Sequence, residues 1–478
     1  MKRRTFLQSA GTLAGGATLA ARTNAATQSP DVLFIAVEDL KTSLSCYDNP
    51  VVQTPHIDSI ADRGVLFANA ACQYPLCNPS RSSLMSGLRP DSTKVYGNCE
   101  DWRAYLRNHT LLPAFFKDQG YDVLRCGKMF HKNTARTCKE TPLLALDDTP
   151  YWTRIISEHE GFGRIPKMRP PTYLYDVPPE ERERNYTTRA WTWGPTGRDD
   201  LEEQDGRLAE QGVRALMQKR DKPLFLALGF HRIHLPLYAP DKYFDMYNVD
   251  DIPLPYVPAD ALGQMPKEAR YKLDDHREFT DAKRREAIRA YYACCSFIDA
   301  GIGRVLQALE DSGRADNTII VFWGDHGYHL GEHGQWQKST LFEEAVRVPL
   351  IISAPGVTPQ GAVCNRPVEL VDMYPTLAEL CGFTPPDDLE GLSMKPVLRN
   401  PNLPWKKANF CQNGSQGRSL RTERWRYTEW GRPDRAELYD HENDPGELNN
   451  LAGNPVHKSI QNELRALMRG GWKAALPG

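Results

Sequence analysis

One short stretch, Cys77-Asn78-Pro79-Ser80-Arg81, combines residue types that could carry out covalent chemistry on an anion. Pro79 disfavours a helical conformation at Asn78 and presets the first turn of a helix, so we expect Cys77 to lie just outside a helix N-terminus. Free backbone N–H groups and the helix dipole favour an anion there, and Arg81 can direct its guanidinium to the same place. Because an isolated Cys-Xaa-Pro is more often a buried structural cysteine, this interpretation needs support from other residues.

Acidic residues follow two buried strands of the predicted sheet. The run 31–37 is apolar and of strand length, as is typical of a strand buried on both faces of a parallel sheet. It ends in Glu38 and Asp39, and a later run of the same kind ends in Asp325 and His326. Open α/β sheets place their sites at the carboxyl ends of strands, although solvated acids are the usual reading of any one pair.

Together, Glu38, Asp39 and Asp325 would place three carboxylates at one edge of the sheet. Near a protein surface, two such charges about 4 Å apart repel by roughly 4 kcal/mol. Three such repulsions would use most of the marginal stability of a domain. A bound cation removes the repulsion, and oxygen ligands favour a hard ion.

Basic side chains lie just past predicted strands or close behind the second acidic segment: Lys128, His131, His231, His234 and Lys338. Any one of them alone is best read as a solvated loop residue. A cationic ring suited to a tetrahedral anion whose charge grows in the transition state would consist of Lys128, His131, His234, Lys338 and Arg81. His231 is the weakest candidate.

The segment 75–87 resembles the sulfatase signature, Cys-Xaa-Pro-Ser-Arg followed by an apolar pair, a small hydroxyl residue and Gly. The stretch 89–94, with Trp102-Arg103, resembles the iduronate-2-sulfatase branch of that family, and 438–451 resembles its C-terminal subdomain. The resemblance extends from residue 31 to about residue 451. It implies an alkaline phosphatase-like fold and hydrolysis of sulfate esters on a carbohydrate.

In the sulfatases the motif cysteine is oxidised to formylglycine, whose hydrate is the nucleophile. The resemblance therefore implies that Cys77 is modified by a formylglycine-generating enzyme. It also implies one Ca²⁺, since Mg²⁺ usually retains several waters. The implied metal ligands are Glu38, Asp39, Cys77, Asp325 and His326.

The resemblance also assigns roles to the basic residues. Arg81 would help the metal hold the hydrate, and Lys128 and Lys338 would bind the sulfate oxygens. His234 would protonate the departing sugar oxygen. His131 would later take a proton from the remaining hydroxyl, so that sulfate leaves and the aldehyde returns.

One departure from the family pattern concerns the metal. The family usually has Asp where this chain has Glu38, which is longer by one methylene and could loosen the ion. Two alternatives to a sulfatase stay open. One is a phosphate or phosphonate monoester hydrolase on the same fold, and the other is a sulfated-glycan binding protein that has lost catalysis.

The order of elements predicts an α/β fold. Strands alternate with helices over some 350 residues, which favours a large doubly wound, mostly parallel sheet. Single strands are expected at 65–70 and 419–430, the latter in a C-terminal α+β subdomain with an antiparallel sheet. The expected units are an export signal (1–25), a catalytic domain (26–384) and the C-terminal subdomain (385–478). Within the catalytic domain, 132–205 is either an insertion over the site mouth or a disordered excursion.

Bulk composition limits the possible partners. The 478 residues carry a formal charge of -2, which gives no reason to expect nucleic acid or a membrane surface. Arg3-Arg4 followed by a weakly apolar run to about residue 25 resembles a twin-arginine export signal, the alternative being a flexible basic terminus. No other apolar run is long enough to span a membrane, so we expect an exported protein, in the periplasm. Eleven cysteines is an odd number, which fits one cysteine set apart for chemistry.

Overall fold

The computed structural model describes residues 29–131, 149–173, 192–271, 279–414 and 416–477. The expected export signal lies outside these residues. The main sheet has eight strands: β1 Asp31–Val37, β2 Val65–Phe67, β3 Asp122–Gly127, β4 Arg154–Ile156, β5 Leu224–Phe230, β6 Thr318–Gly324, β7 Leu350–Ser353 and β8 Ala362–Cys364. Their order across the sheet is β8-β2-β7-β6-β1-β5-β3-β4. All neighbours are parallel except β7, which is antiparallel to both β6 and β2. The prediction of a mostly parallel α/β sheet is confirmed.

Helices cover both faces of this sheet. The longer ones are α1 Pro55–Asp62, α2 Cys77–Ser86, α3 Leu112–Asp118, α4 Gln204–Met217, α5 Asp281–Asp311, α6 Met373–Leu380 and α7 Lys458–Ala474. Alternate β1 residues face opposite layers, since Leu33 and Ile35 belong to the same apolar cluster as α4 and α5, and Phe34 to that of α2 and α6. Burial on both faces explains why β1 is continuously apolar.

Apolar residues spaced alternately three and four apart along α5 form a buried stripe. Ile288, Tyr291, Ile298 and Ile302 are at most 2% exposed. Cys295 lies on the same stripe at 1% exposure, and burial raises the pKa of its thiol well above the usual value. It is a core thiol.

A four-stranded antiparallel sheet forms the C-terminal part of the described chain. Its strands are β9 Asn409–Asn413, β10 Gly417–Arg421, β11 Trp425–Trp430 and β12 Ala436–Asp440, paired in chain order. Helix α7 packs on this sheet through Leu464. The boundary at residue 385 stays a prediction.

Three expectations about local structure need correction. The run 65–70 is not one strand: β2 ends at Phe67, and Ala70–Ala71 pairs with Val368–Glu369 in a separate sheet. The run 419–430 contains two strands, because Thr422 accepts a hydrogen bond from the backbone N–H of Trp425 and closes a turn between them. Cys77 is the first residue of α2 rather than a residue outside it.

The predicted insertion 132–205 is only partly described. Residues 132–148 and 174–191 lie outside the described residues. In the remainder, β4 is the edge strand of the main sheet, and Thr192–Pro195 joins a three-stranded sheet with Thr172–Tyr173 and Leu237–Ala239. This part of the insertion is therefore built into the fold.

Shorter elements connect these units. His329–Leu330 pairs with Trp336–Gln337. Short helical turns lie at Ser45–Tyr47, Pro90–Thr93, Arg103–Leu106, Thr149–Tyr151, Asp200–Glu202, Asp241–Phe244, Val249–Asp251, Ala261–Gln264, Lys267–Ala269, Ala315–Asn317, Glu332–Gly334, Glu343–Val346, Leu370–Asp372, Lys395–Arg399 and Pro455–His457.

Candidate active site

Four parallel strands of the main sheet end at the same edge. In the register of the sheet, Val37 at the end of β1 lies opposite both Gly324 of β6 and Phe230 of β5. Gly127 at the end of β3 lies opposite Gly229 of β5. The segments that follow these strands therefore start side by side, at the carboxyl edge where open α/β sheets place their sites.

Cys77 lies at the centre of this edge and is fully buried. Its Sγ atom is 3.2 Å from Lys338 Nζ, 3.3 Å from His326 Nε2 and 3.4 Å from Glu38 Oε1. Burial raises the pKa of the Cys77 thiol, but Lys128 and Lys338 outweigh burial, and the pKa lies below its usual value. The structure thus places a small reactive group between acids and bases.

The two consecutive carboxylates of Glu38 and Asp39 face the same cluster. Side chains of adjacent residues in a strand point to opposite faces, but Asp39 has a left-handed backbone (φ 58°), a conformation that Asp tolerates. Asp39 Oδ1 consequently lies 4.0 Å from Cys77 Sγ, on the same side as Glu38.

Asp325 ties the strand ends together. Its Oδ1 accepts the backbone N–H groups of Asp39 (3.0 Å) and His326 (3.1 Å). Its Oδ2 accepts Nε–H of Arg81 at 2.8 Å. Burial raises the pKa of Asp325, but His326 and Arg81 reverse the shift and hold it well below the usual range. Asp325 is therefore an ionised carboxylate.

The donor set of this cluster fits a metal ion. Ligand atoms of Asp39, Cys77 and His326 lie within 4.8 Å of one another, and so do those of Glu38, Cys77 and Asp325. Nδ1 of His326 donates to the backbone oxygen of Gly327 at 2.9 Å, which leaves Nε2 facing the cluster. Metal-ligating histidines are commonly fixed in this way through their other nitrogen.

Arg81 is fully buried, and its hydrogen bonds join separate segments of the chain. Its Nε bonds Asp325, and its Nη1 donates to the backbone oxygens of Lys128 (2.7 Å) and Met129 (3.1 Å). The guanidinium lies 5.5 Å from the ring centre of Trp323. Arg81 thus connects α2 to the ends of β3 and β6.

Two lysines reach the acidic cluster from different segments. Lys128 Nζ forms an ion pair with Glu38 Oε1, and Lys338 Nζ lies 2.6 Å from Asp39 Oδ1. Burial lowers the pKa of Lys338, but Asp39 and Cys77 outweigh it and hold the pKa well above the usual value, so Lys338 is charged. Ser339 donates its backbone N–H to the oxygen of Pro75 at 3.1 Å, which fixes the Lys338 segment beside the Cys77 turn.

The histidines differ in how closely they approach the cluster. A ring nitrogen of His234 lies within 4.8 Å of carboxylate oxygens of Glu38 and Asp39, while its Nδ1 is 2.8 Å from the oxygen of Leu235. His131 has a pKa held well below its usual value by burial and by Lys128, and its buried Nδ1 has no hydrogen-bond partner among the described residues. His131 is therefore neutral.

His231 is fixed through its backbone. Its N–H donates to Asp205 Oδ1 at 2.7 Å, and the N–H of Arg232 donates to Asp205 Oδ2 at 3.0 Å. Burial lowers the pKa of the His231 side chain. These two hydrogen bonds anchor the segment that carries His234.

Residues 30–383 match the sulfatase family, and residues 331–471 match the C-terminal region of N-sulphoglucosamine sulphohydrolase. The chain belongs to the sulfatase family. It is a sulfatase, a sulfuric ester hydrolase, as the signature around Cys77 predicted.

Similar proteins agree with this assignment. A sulfatase of Formosa agariphila is 34% identical over 456 residues, covering 92% of this chain and 86% of the relative. Mouse iduronate 2-sulfatase is 33% identical over 415 residues, covering 77% of this chain and 71% of the relative. The crystal structure of a phosphonate monoester hydrolase of Agrobacterium radiobacter has a TM-score of 0.74 at 22% identity, covering 92% of this chain and 95% of that one. That last similarity concerns the fold alone.

Three supporting residues of this sulfatase were not singled out from the sequence. Ser80 donates its hydroxyl to the backbone oxygen of Asp325. Tyr291 donates to the backbone oxygen of Asp39 at 2.8 Å, and Asp205 holds the segment after β5. Ser80 could have been found from its place in the signature, whereas Tyr291 is indistinguishable from other core residues of α5.

Within the ranges that the structure describes, no helix combines the length and the apolar character needed to cross a membrane.

Proposed function

We propose that this sulfatase removes sulfate from a sulfated carbohydrate through a formylglycine at position 77. The observation that carries the proposal is the position of Cys77, whose Sγ lies 3.2 Å from Lys338 Nζ and 3.4 Å from Glu38 Oε1. One reactive group there touches both a cation that can bind sulfate and an acid that can bind a metal. The similarity to an iduronate 2-sulfatase supports a sugar sulfate as substrate.

We propose one Ca²⁺ at the acidic cluster, with Mg²⁺ less suited to so many protein ligands. When bound, the ion would supply positive charge that stabilises the hydrate oxygen and the sulfate. The residues that would hold it are Glu38, Asp39, Asp325, His326 and the modified residue 77.

The reaction begins when one hydroxyl of the residue 77 hydrate releases its proton to water and its oxygen attacks sulfur. The bond between sulfur and the sugar oxygen breaks, and His234 donates a proton to that oxygen. Lys128 and Lys338 bind the sulfate oxygens and stabilise the charge that develops on them. Arg81 helps to hold the hydrate, and through Asp325 it keeps the acidic cluster in place.

The second step returns the enzyme to its starting state. His131 takes the proton of the remaining hydroxyl, the bond from carbon to the sulfate oxygen breaks, and the aldehyde re-forms. Water then adds to the aldehyde to give the hydrate again. The neutral state of His131 suits a proton acceptor.

Glu38 does not argue against catalysis. Its longer side chain still reaches the cluster, since Oε1 lies 3.4 Å from Cys77 Sγ and pairs with Lys128. The inactive glycan binder is therefore not favoured. A phosphate or phosphonate ester hydrolase is not favoured either, because the similarity to the phosphonate hydrolase lies in the fold.

The proposal extends to maturation and location. The twin-arginine signal would export the folded chain to the periplasm after a formylglycine-generating enzyme has modified Cys77. We propose that the segment 132–205 and the unit 385–478 select the sugar, and that 26–384 carries the chemistry.

Mass spectrometry of the peptide that contains residue 77 tests the modification directly. Protein isolated from its native host should carry an aldehyde there, and a Cys77→Ala variant should not. Turnover of 4-nitrophenyl sulfate should exceed that of 4-nitrophenyl phosphate, and a panel of sulfated sugars should identify the substrate. An unmodified Cys77 together with absent turnover would contradict the proposal.

A further inference from the structure

A cavity of about 250 Å³ lies between the helical turn Pro90–Thr93, strand β9 and helix α7. Pockets for drug-sized ligands measure roughly 300–1,000 Å³, so a cavity of this size suits a smaller group such as one sugar ring. Its wall includes aromatic and planar polar side chains, among them Arg89, Asp91, Phe410, Gln412, Arg418 and Trp472.

Trp472 provides the aromatic wall. The guanidinium of Arg89 lies 5.0 Å from the centre of its ring, and Arg89 is itself held by two hydrogen bonds of 2.7 Å to Glu369. Gly471 interrupts α7 directly before Trp472 with φ 68° and ψ -172°, a conformation open essentially only to glycine. Lys473 Nζ lies 5.4 Å from the same ring centre. The indole is therefore held in a set orientation beside two cations, as a preorganised apolar contact surface requires.

The opposite wall is polar and remains accessible. Asp91 accepts hydrogen bonds from Gln412 Nε2 and Arg418 Nη2, both at 3.1 Å. The side chains of Asp91 and Arg418 are 55% and 33% exposed, so a ligand can reach them. Arg89 is paired with Glu369 and Arg418 with Asp91, so these groups suit hydrogen bonds to the hydroxyl groups of a ligand.

The cavity is adjacent to the active site. Gln412 donates its backbone N–H to the oxygen of Gln73 at 3.0 Å, four residues before Cys77. The next residue, Asn413, donates to the backbone oxygen of Ser339 at 2.6 Å, directly after Lys338. The chain advances about 3.3 Å per residue in a strand, so one short stretch of β9 borders both the cavity and the catalytic segment.

We propose that this cavity binds a further sugar ring of an oligosaccharide whose sulfate is held at residue 77. The inference rests on the proposed function and deepens it, since it makes the enzyme selective for chains rather than for single sugars. Trp472 packs against the sugar ring, while Asp91, Gln412 and Arg418 bind its hydroxyl groups.

The first test compares Trp472→Ala with the wild type on 4-nitrophenyl sulfate and on heparin-derived or ulvan-derived sulfated hexasaccharides. Loss of the apolar contact surface should lower kcat/KM for the hexasaccharide about tenfold, with aryl sulfate turnover unchanged. Trp425→Ala is the matched control, because Trp425 also carries a stacked arginine, at 4.9 Å, but does not line the cavity. Equal losses on both substrates, or no loss on either, would overturn the proposal.

Calorimetry separates this inference from the proposed function. In the Cys77→Ala background, the hexasaccharide should bind about tenfold more weakly when Trp472 is also replaced. Trp472-dependent binding without turnover in the Cys77-containing enzyme would refute the proposed reaction while supporting the cavity. Binding that is independent of Trp472 would refute the cavity, whatever the turnover.

Discussion

Replacing Lys338 with methionine should abolish most of the activity while leaving the calcium-loaded protein stable. Lys338 Nζ lies 2.6 Å from Asp39 Oδ1 and 3.2 Å from Cys77 Sγ, and the residue is 8% exposed. Methionine keeps the length and the apolar stem of the side chain and removes the charge. Loss of one donor to a developing anion typically costs about 10²–10³ in kcat, so we expect a fall of that size.

Stability should depend on calcium in this variant. At an effective dielectric constant of about 20, the attraction between Lys338 and Asp39 at this distance is about 6 kcal/mol before desolvation is counted. Removing one partner of a buried pair costs about 3–5 kcal/mol, since the other charge is left buried and unpaired. A bound cation would pair with Asp39 in place of Lys338. The variant should therefore unfold at a lower temperature than the wild type in EDTA, but at a similar temperature in excess Ca²⁺.

Steady-state kinetics with 4-nitrophenyl sulfate and thermal unfolding with and without Ca²⁺ measure both effects. Lys41→Met is the control, because Lys41 is equally buried and pairs with Glu332 (2.6 Å) and Glu344 (2.5 Å) outside the cluster. It should lower the unfolding temperature with or without Ca²⁺ and change kcat little. Near-normal kcat in Lys338→Met, or a stability loss that calcium does not rescue, would refute our placement of Lys338 and the metal.

The other predictions concern the leaving group, the metal and pH. His234→Ala should reduce turnover of a sugar sulfate about 10²–10⁴-fold and that of 4-nitrophenyl sulfate far less, because nitrophenolate leaves without a proton; equal losses would contradict its role as an acid. Glu38→Gln should weaken Ca²⁺ binding by calorimetry and Glu38→Asp should preserve it, whereas equal affinities would exclude Glu38 as a ligand. Burial raises the pKa of Glu437 from 4.5 to about 7, so the folded protein retains a proton that the unfolded chain releases, and stability should fall as pH rises through this interval. Glu437→Gln should flatten that decline in thermal unfolding, and an unchanged slope would contradict the assignment.

The sequence could predict the strand ends because burial on both faces leaves a clear signal. A strand such as β1 has no solvent side, so its apolar run ends where the sheet ends, at Glu38. The same holds for β6 and Asp325. The register of the sheet determines where these residues meet. Parallel strands of similar length end at the same edge, so the residues that follow them lie close together.

Features that depend on tertiary contacts could not be predicted from the sequence. The apolar pattern of α5 does not distinguish Tyr291 from the other core residues of that helix. Its hydroxyl nevertheless donates a hydrogen bond to the backbone oxygen of Asp39. The edge strand β4 lies in a stretch without periodicity, because an edge strand of three residues is too short to show one. The cavity at Trp472 depends on how α7 meets the turn after Arg89, two segments that are distant in the chain.

Arg81 shows most clearly how little sequence spacing alone says about the contacts of a side chain. Its spacing from Cys77 predicted a guanidinium aimed at the nucleophile, and that contact stays a prediction. Its Nε and Nη1 bond Asp325 and the backbone of Lys128 and Met129, while its buried Nη2 has no hydrogen-bond partner among the described residues. A residue one helical turn away can serve either purpose, because both require the same spacing. In this fold Arg81 secures the ends of β3 and β6 against α2. Together with His326, its charge keeps the pKa of Asp325 well below the usual range, so an acid that could bind a metal stays ionised.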